Sequence, residues 1–415
     1  MVASDPSPSY HYAITPDGRI SAQQSGAERE LEHFYHVDDH SIAEAVSKVL
    51  PESLADLIDV AIGVYAADRL ARRPAFVQTE VSGWRRRLHV SVPVRNPDLW
   101  RGESLGLALQ EALLFITDDE WSFEFVPRYG TSRRRSEVQG HLFADRLPDD
   151  TMVSLFSGGL DSLVGLAGDV LDLRPSMLLL VCAQTNDRIR PVQQRLIREI
   201  SKRKNQACRR VGVRFGFHRR AKGRYGRDER TQRTRAFSFL ALGAVMARHV
   251  GLDSARVYEN GVGAINLPYT DAQVGAQSSR ASNPLALHLV EQVIGQATGR
   301  AFSFELPLGF TTKATACRRL ADVGLADLVA QSISCDGFPQ RISGRVQCGV
   351  CTSCVLRRQS LFQSGLAGQD PGEKYVYDLL DSNRLPPSKK LIELRAMQHQ
   401  VKTQQFPAPY WRPQG

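Results

Sequence analysis

The sequence predicts an α/β protein built on a doubly wound, mainly parallel sheet, with a smaller α+β unit ahead of it. Three observations carry this expectation. From Thr151 onward, short apolar runs alternate with segments of helical spacing, as a parallel sheet with crossover helices requires. The first of those runs, TMVSLF, leads straight into a glycine turn, SGGLDS, and then into a helical pattern. The chain, at 415 residues, is long for one average domain and suits two or three.

The elements follow in order. Within residues 1–148, LADLIDVAIGVYAADRLARR has helical apolar spacing, RRLHVSVPVRN alternates like a strand, LGLALQEALLFI predicts a second helix and WSFEFV a second strand. No catalytic motif stands out there, which suits a recognition or docking unit. RLPDD supplies turn residues before Thr151 and marks a boundary. In residues 149–366 the expected order is strand TMVSLF, helix SLVGLAGDVLDL, strand SMLLLVCAQT, helix RPVQQRLIREISKRK, strand VGVRFGFH, helix AFSFLALGAVMARHVG and strand ARVYEN. Ligands of such sheets bind at the carboxyl ends of the strands, which places a site near Ser157. Residues 367–415 hold one more apolar patch, KYVYDLL, and then a polar tail, expected to be a peripheral extension.

Two motifs carry chemistry. Ser157, Gly158, Gly159, Leu160, Asp161 and Ser162 sit between a strand and a helix, where backbone N–H groups and the helix dipole favour an anion. The glycines allow close approach, Ser157 and Ser162 can donate hydroxyl hydrogen bonds to phosphate, and Asp161 can hold Mg²⁺ or fix the loop. Ser-Gly-Gly is also an ordinary turn sequence, and Asp or Ser often caps a helix. The second motif is C-x12-C-x2-C-x2-C, formed by Cys335, Cys348, Cys351 and Cys354. Its spacing suits four thiolates on one structural Zn²⁺; an iron–sulfur cluster or redox thiols are the rival readings. Arg357 and Arg358 follow it, either to offset the site's negative charge or as a basic helix surface. Cys182, Cys208 and Cys317 are expected to be ordinary buried thiols.

Composition narrows the classes. Hydrophobic residues at 42% and charged ones at 23% exclude wholesale disorder. There is no leader-like start and no stretch near the roughly 20 apolar residues that span a bilayer, so a cytoplasmic protein is expected. The net charge of +9 suits an anionic partner. It is concentrated from Lys202 to Arg235, read equally as a solvated basic face or as a surface for phosphate or RNA.

The SGGLDS loop resembles the SGGxDS signature of the PP-loop ATP pyrophosphatase superfamily, which has an adenine nucleotide alpha hydrolase-like fold and lacks the Walker G-K-[ST]. With CGVCTSCVLRRQSLFQSG downstream, residues 150–366 resemble the 7-cyano-7-deazaguanine synthase (QueC) family. Lys313 in FTTKATACRRLADVGL matches a family lysine, and Thr234-Arg235 is a shifted version of its Arg-Asn pair. The resemblance implies ATP, Mg²⁺ and Zn²⁺ as cofactors and a C–N ligase that adenylates the carboxylate of 7-carboxy-7-deazaguanine and passes the acyl group to an amine. It implies that Lys313 stabilises the transferring phosphate, although a surface lysine is the plain alternative. The family's SGYPDCR-like substrate segment is replaced here by Glu259-Asn260-Gly261 and Asn266-Leu267-Pro268, followed by VGAQSSRASNP, and Leu163 stands where a Thr commonly follows the loop. Glu259 and Asn260 are candidates for the base or ribose, or form an ordinary turn; Asn266 and Arg235 complete the candidate substrate set. The Glu-Asn-Gly and Asn-Leu-Pro elements and the added amino-terminal unit look most like the QueC-like proteins of anti-phage defence, QatC and the QueC-like component of type IV CBASS. That likeness implies a defence-operon protein partner, whose amino terminus rather than ammonia accepts the acyl group. Genuine 7-cyano-7-deazaguanine synthesis, tRNA modification and a non-catalytic nucleotide-sensing scaffold are the alternatives, with nucleic acid the less favoured partner.

Overall fold

The computed structural model describes residues 9–23, 32–46, 48–73, 85–129, 147–217, 229, 231–266, 280–339 and 344–404. Its strands are β1 (Ser9–Ile14), β2 (Arg19–Gln23), β3 (Glu32–Asp38), β4 (Arg87–Val94), β5 (Glu120–Pro127), β6 (Met152–Leu155), β7 (Leu178–Gln184), β8 (Cys208–Phe217), β9 (Ser254–Arg256) and β10 (Ser303–Glu305). The helices of the first third are α1 (His40–Glu44), α2 (Glu52–Leu70), α3 (Pro97–Arg101) and α4 (Glu103–Thr117). Then come α5 (Leu160–Asp172), α6 (Arg190–Lys204), α7 (Arg235–His249), α8 (Gly261–Ile265) and α9 (Pro284–Thr298). The last three are α10 (Lys313–Asp322), α11 (Thr352–Gln363) and α12 (Ile392–Gln404).

The protein is α/β, with one mixed, mostly parallel sheet ordered β10-β9-β6-β7-β8-β3-β2-β1-β4-β5. Five strands, β10, β9, β6, β7 and β8, are all parallel. Each side chain alternation feeds a different layer. On β7, Leu178, Leu180 and Cys182 pack with the helices α5 and α10, while Leu179 and Val181 pack with α7 and α9. Helices on both faces are what a parallel sheet needs to bury its two apolar sides. The chain runs from β6 outward through β7 to β8, then returns to the other side of β6 for β9 and β10. The reversal falls between β6 and β9, and the carboxyl ends of strands at such a reversal are where ligands of open α/β sheets ordinarily bind.

The amino-terminal unit is joined to this sheet rather than tethered beside it. Strand β3 pairs antiparallel with β8, Tyr35 opposite Phe217 and Asp38 opposite Arg214. Behind the seam, α2 and α4 pack against α7 and α9, and one apolar core runs through both parts. A buried ion cluster reinforces the joint: Arg86 lies 2.6 Å from both Asp68 and Asp119, and Asp68 accepts from the Thr234 hydroxyl at 2.8 Å. Arg233, buried, donates to Asp118 at 2.9 Å and to the Thr117 carbonyl at 2.8 Å. Part of the basic stretch is therefore mortar: Arg209 also donates to the Ala45 carbonyl at 2.7 Å. Arg219, Arg220, Lys222, Arg224, Arg227 and Arg230 lie outside the described residues.

The segment after Gly365 packs closely on the cysteine module. Only Lys374 of KYVYDLL is helical, closing a 3-10 turn (Gly372–Lys374), and Tyr375 is buried among Cys335 and Cys354, with a β-bridge to Gln347. No helix among the described residues is long and apolar enough to cross a membrane.

Candidate functional site

The turn after β6 is built by its own serines. Gly158 takes φ +83°, a conformation that L side chains rarely adopt, and so directs the chain from strand to helix. The Ser162 hydroxyl accepts from the Gly158 N–H at 3.1 Å and donates to the Gly159 carbonyl at 3.1 Å. The Ser157 hydroxyl accepts from the Gly159 N–H at 3.2 Å and lies 3.1 Å from the Ser162 Oγ. The N–H groups of Asp161 and Ser162, in the first turn of α5, meet no acceptor among the described residues. Unpaired first-turn donors, reinforced by the helix dipole, make this end of α5 attractive to an anion.

Beside the turn, four polar side chains converge. Lys313, first residue of α10, places its Nζ 2.8 Å from Asp161 Oδ2. Asn260 Nδ2 donates to Asp161 Oδ1 at 3.0 Å and to Glu259 Oε1 at 2.9 Å, while its Oδ1 caps α8 through the Gly263 N–H at 3.1 Å. Glu259 and Asn260 follow β9 in a loop held from behind: the Tyr258 hydroxyl donates to Asp169 at 2.5 Å and lies 2.9 Å from the Ser154 Oγ. Gly165 makes room for the Tyr258 ring, since a Cβ there would sit 2.2 Å from its Cδ1. Gly261 matters for the same reason, because a Cβ would meet the Gly309 carbonyl oxygen at 2.4 Å.

Asp161, Glu259 and Lys313 act on one another's charge. Burial pushes the Glu259 carboxyl up to about 7; the Asp161 carboxylate adds to the rise and the Lys313 ammonium opposes it. Burial works to lower Lys313, but the carboxylates of Asp161 and Glu259 outweigh it and hold the ammonium above its ordinary value. An acid with a raised folded pKa binds more protons folded than unfolded, so stability falls as pH climbs from the ordinary glutamate range through about 7. Glu259→Gln is accordingly expected to raise Tm relative to the native protein at pH 8 and to leave it nearly unchanged at pH 5. Equal shifts at the two pH values would show that Glu259 is not the titrating group.

The other predicted residues distribute as follows. Asn266 ends α8 in the left-handed region, φ 44°. Leu267, Pro268 and most of VGAQSSRASNP lie outside the described residues. Arg235 is exposed at the start of α7, its guanidinium 5.8 Å from the Phe239 ring centroid, next to the Thr234–Asp68 joint rather than in the Asp161 group.

Cys335, Cys348, Cys351 and Cys354 bring their sulfurs within 4.8 Å of one another. Gly349, φ +86°, lets the turn between two of them close. The backbone N–H of Cys351 donates to the Cys348 sulfur at 3.2 Å, that of Val350 at 3.4 Å, and that of Cys348 to the Cys335 sulfur at 3.2 Å. The Cys348–Cys354 separation is 3.9 Å, close to the edge of about 3.8 Å for a tetrahedron with Zn–S bonds of about 2.3 Å. The four thiols therefore fit a single zinc ion with no open coordination position.

No protein-family model matches the chain, and no curated protein matches it. Burial pushes Cys182, Cys208 and Cys317 each up to about 12, which leaves them protonated and poor nucleophiles.

Sequence reasoning missed Ser334 and did not foresee the partners of Arg357. Ser334 accepts from the Leu160 N–H at 3.1 Å, and Arg357, buried, donates to Ser332 at 2.8 Å and to Ser334 at 3.3 Å. Arg357 also holds Asp370 at 3.0 Å. Its place as third residue past Cys354 was visible, but burial of a guanidinium leaves no local mark. Arg358 does go outward, 2.6 Å from Asp378 and stacked over Tyr375.

Proposed function

We propose that this chain is an ATP-dependent adenylating C–N ligase of the PP-loop type, QueC-like, acting on the carboxylate of a 7-deazaguanine acid. The observation that carries the reading is the contact of an anion-seeking turn, Ser157–Ser162, with the Lys313–Asn260–Glu259 group through Asp161. The turn suits the β and γ phosphates through the N–H groups of Asp161 and Ser162, which its own serines leave open. Asp161 is the residue to hold Mg²⁺, and Lys313 the one to neutralise charge building on the transferring phosphorus.

In this scheme a carboxylate oxygen of the acid attacks the α phosphorus. The bond from that phosphorus to the bridging oxygen breaks, and pyrophosphate leaves with the electron pair. An amine then attacks the acyl carbon, AMP departs, and the surplus proton passes to a base; Glu259, poised near neutrality, is suited to accept it. Asn260 spans the two carboxylates and keeps Asp161 and Glu259 at fixed separation. A partner protein's amino terminus is the acceptor this reading favours, in an anti-phage setting. The deeply protonated thiols speak against tRNA thiolation, which needs reactive cysteines.

The test is pyrophosphate release by purified protein with ATP, Mg²⁺ and 7-carboxy-7-deazaguanine. Release that depends on the acid is expected. Absence of pyrophosphate and AMP with that acid would favour the scaffold alternative.

A further inference from the structure

The residues just before the first cysteine lie across the anion turn. The Ile333 N–H donates to the Gly158 carbonyl at 3.0 Å, and the next residue, Ser334, accepts from the Leu160 N–H at 3.1 Å. The residue after that is Cys335, whose sulfur belongs to the four-thiol cluster. Arg357, almost fully buried on α11, ties the strap from behind through Ser332, Ser334 and the Val329 carbonyl at 2.7 Å.

The hydrogen-bond inventory of Ser334 is decisive. A hydroxyl has two acceptor lone pairs and one proton to give. Here Leu160 and Arg357 both donate to the Ser334 oxygen, at 3.1 and 3.3 Å, so its acceptor capacity is filled. Its proton meets no acceptor among the described residues. The contrast with its neighbours is sharp: Ser162 gives its proton to the Gly159 carbonyl and Ser332 to the Val329 carbonyl. Ser334 is thus held as a donor, at the amino end of α5, with a buried cation behind it.

We infer that Ser334 binds the phosphate of the nucleoside triphosphate by donating its hydroxyl proton, and that the four-cysteine metal centre holds it in place through the strap 332–335. This rests on the phosphate reading of the turn given above. Arg357 is a positioning residue: it touches no substrate and acts by occupying the second lone pair of Ser334.

The test has two arms. ATP affinity is measured by calorimetry in Mg²⁺ for the zinc-loaded native protein, Ser334→Ala and Ser334→Thr. Loss of one hydrogen bond to a charged oxygen is expected to weaken Ser334→Ala about tenfold, with zinc content and Tm retained, and threonine should restore most of the affinity. In parallel, amide hydrogen exchange is followed with and without metal removal by a chelator, in the absence of nucleotide. Exchange at Gly158–Leu160 should accelerate at least several-fold on metal loss while β6 and β7 stay protected. Native-like affinity in Ser334→Ala overturns the ligand role, and unchanged exchange at Gly158–Leu160 overturns the metal link. If the native protein binds no ATP, the phosphate reading and the ligand role fall together, whereas the exchange arm still decides whether the strap couples metal to turn.

Discussion

Asp161→Ala is expected to lower pyrophosphate release on the order of 10³-fold, the scale seen when one charged or hydrogen-bonding group is taken from a preorganised site. The size follows from the position. Asp161 is the shared partner of Lys313, at 2.8 Å, and Asn260, at 3.0 Å, and it sits inside the turn itself. Its removal deletes the candidate Mg²⁺ ligand and frees Lys313 to swing toward Glu259. The Glu259 carboxyl, no longer repelled by Asp161, should then titrate below its native value near 7. The loss should therefore appear as a fall in kcat with an altered pH profile, and the melting temperature should change little. Retention of more than a tenth of native activity would remove Asp161 from the chemistry.

Cys348→Ser is expected to collapse the module around the four thiols. The buried cluster there consists of Cys335, Cys354 and Tyr375, with Phe338, Cys348 and Cys351 packed against it. Apart from one tyrosine and one phenylalanine, the ligands are themselves the core, so nothing apolar remains to order the segment when the ion goes. Structural zinc contributes on the order of 10 kcal/mol to such small sites. Expected results are zinc near zero by metal analysis, protease cleavage within 344–380 and a Tm lower by about 10 °C or more. Stoichiometric zinc in the serine variant would show that three thiols suffice.

How much of this was legible beforehand depends on the range of the interaction. The turn at Ser157, the helices α2, α5, α6 and α7 and the strands β4 to β8 all follow from local periodicity and turn chemistry. The cysteine spacing foretold a convergence the structure shows. Strand β9 is shorter than ARVYEN suggested: past Arg256 the Val257 N–H still donates to the Glu305 carbonyl at 2.9 Å, and Tyr258 then turns to Asp169. The pairing of β3 with β8 was invisible, since no local pattern names a partner so distant in sequence. The role of Arg357 stayed open between two readings for a related reason: only the tertiary arrangement supplies Ser332, Ser334 and Asp370 to satisfy a buried guanidinium.

The order in which the ribosome delivers the strands has a consequence of its own. Strand β3 emerges about 170 residues before its neighbour β8, which at ordinary translation speed is a delay on the order of ten to thirty seconds. For that interval the nascent chain carries a strand with an unfilled row of N–H and C=O groups. Synthesis of the second half must outpace capture of that bare margin by another chain.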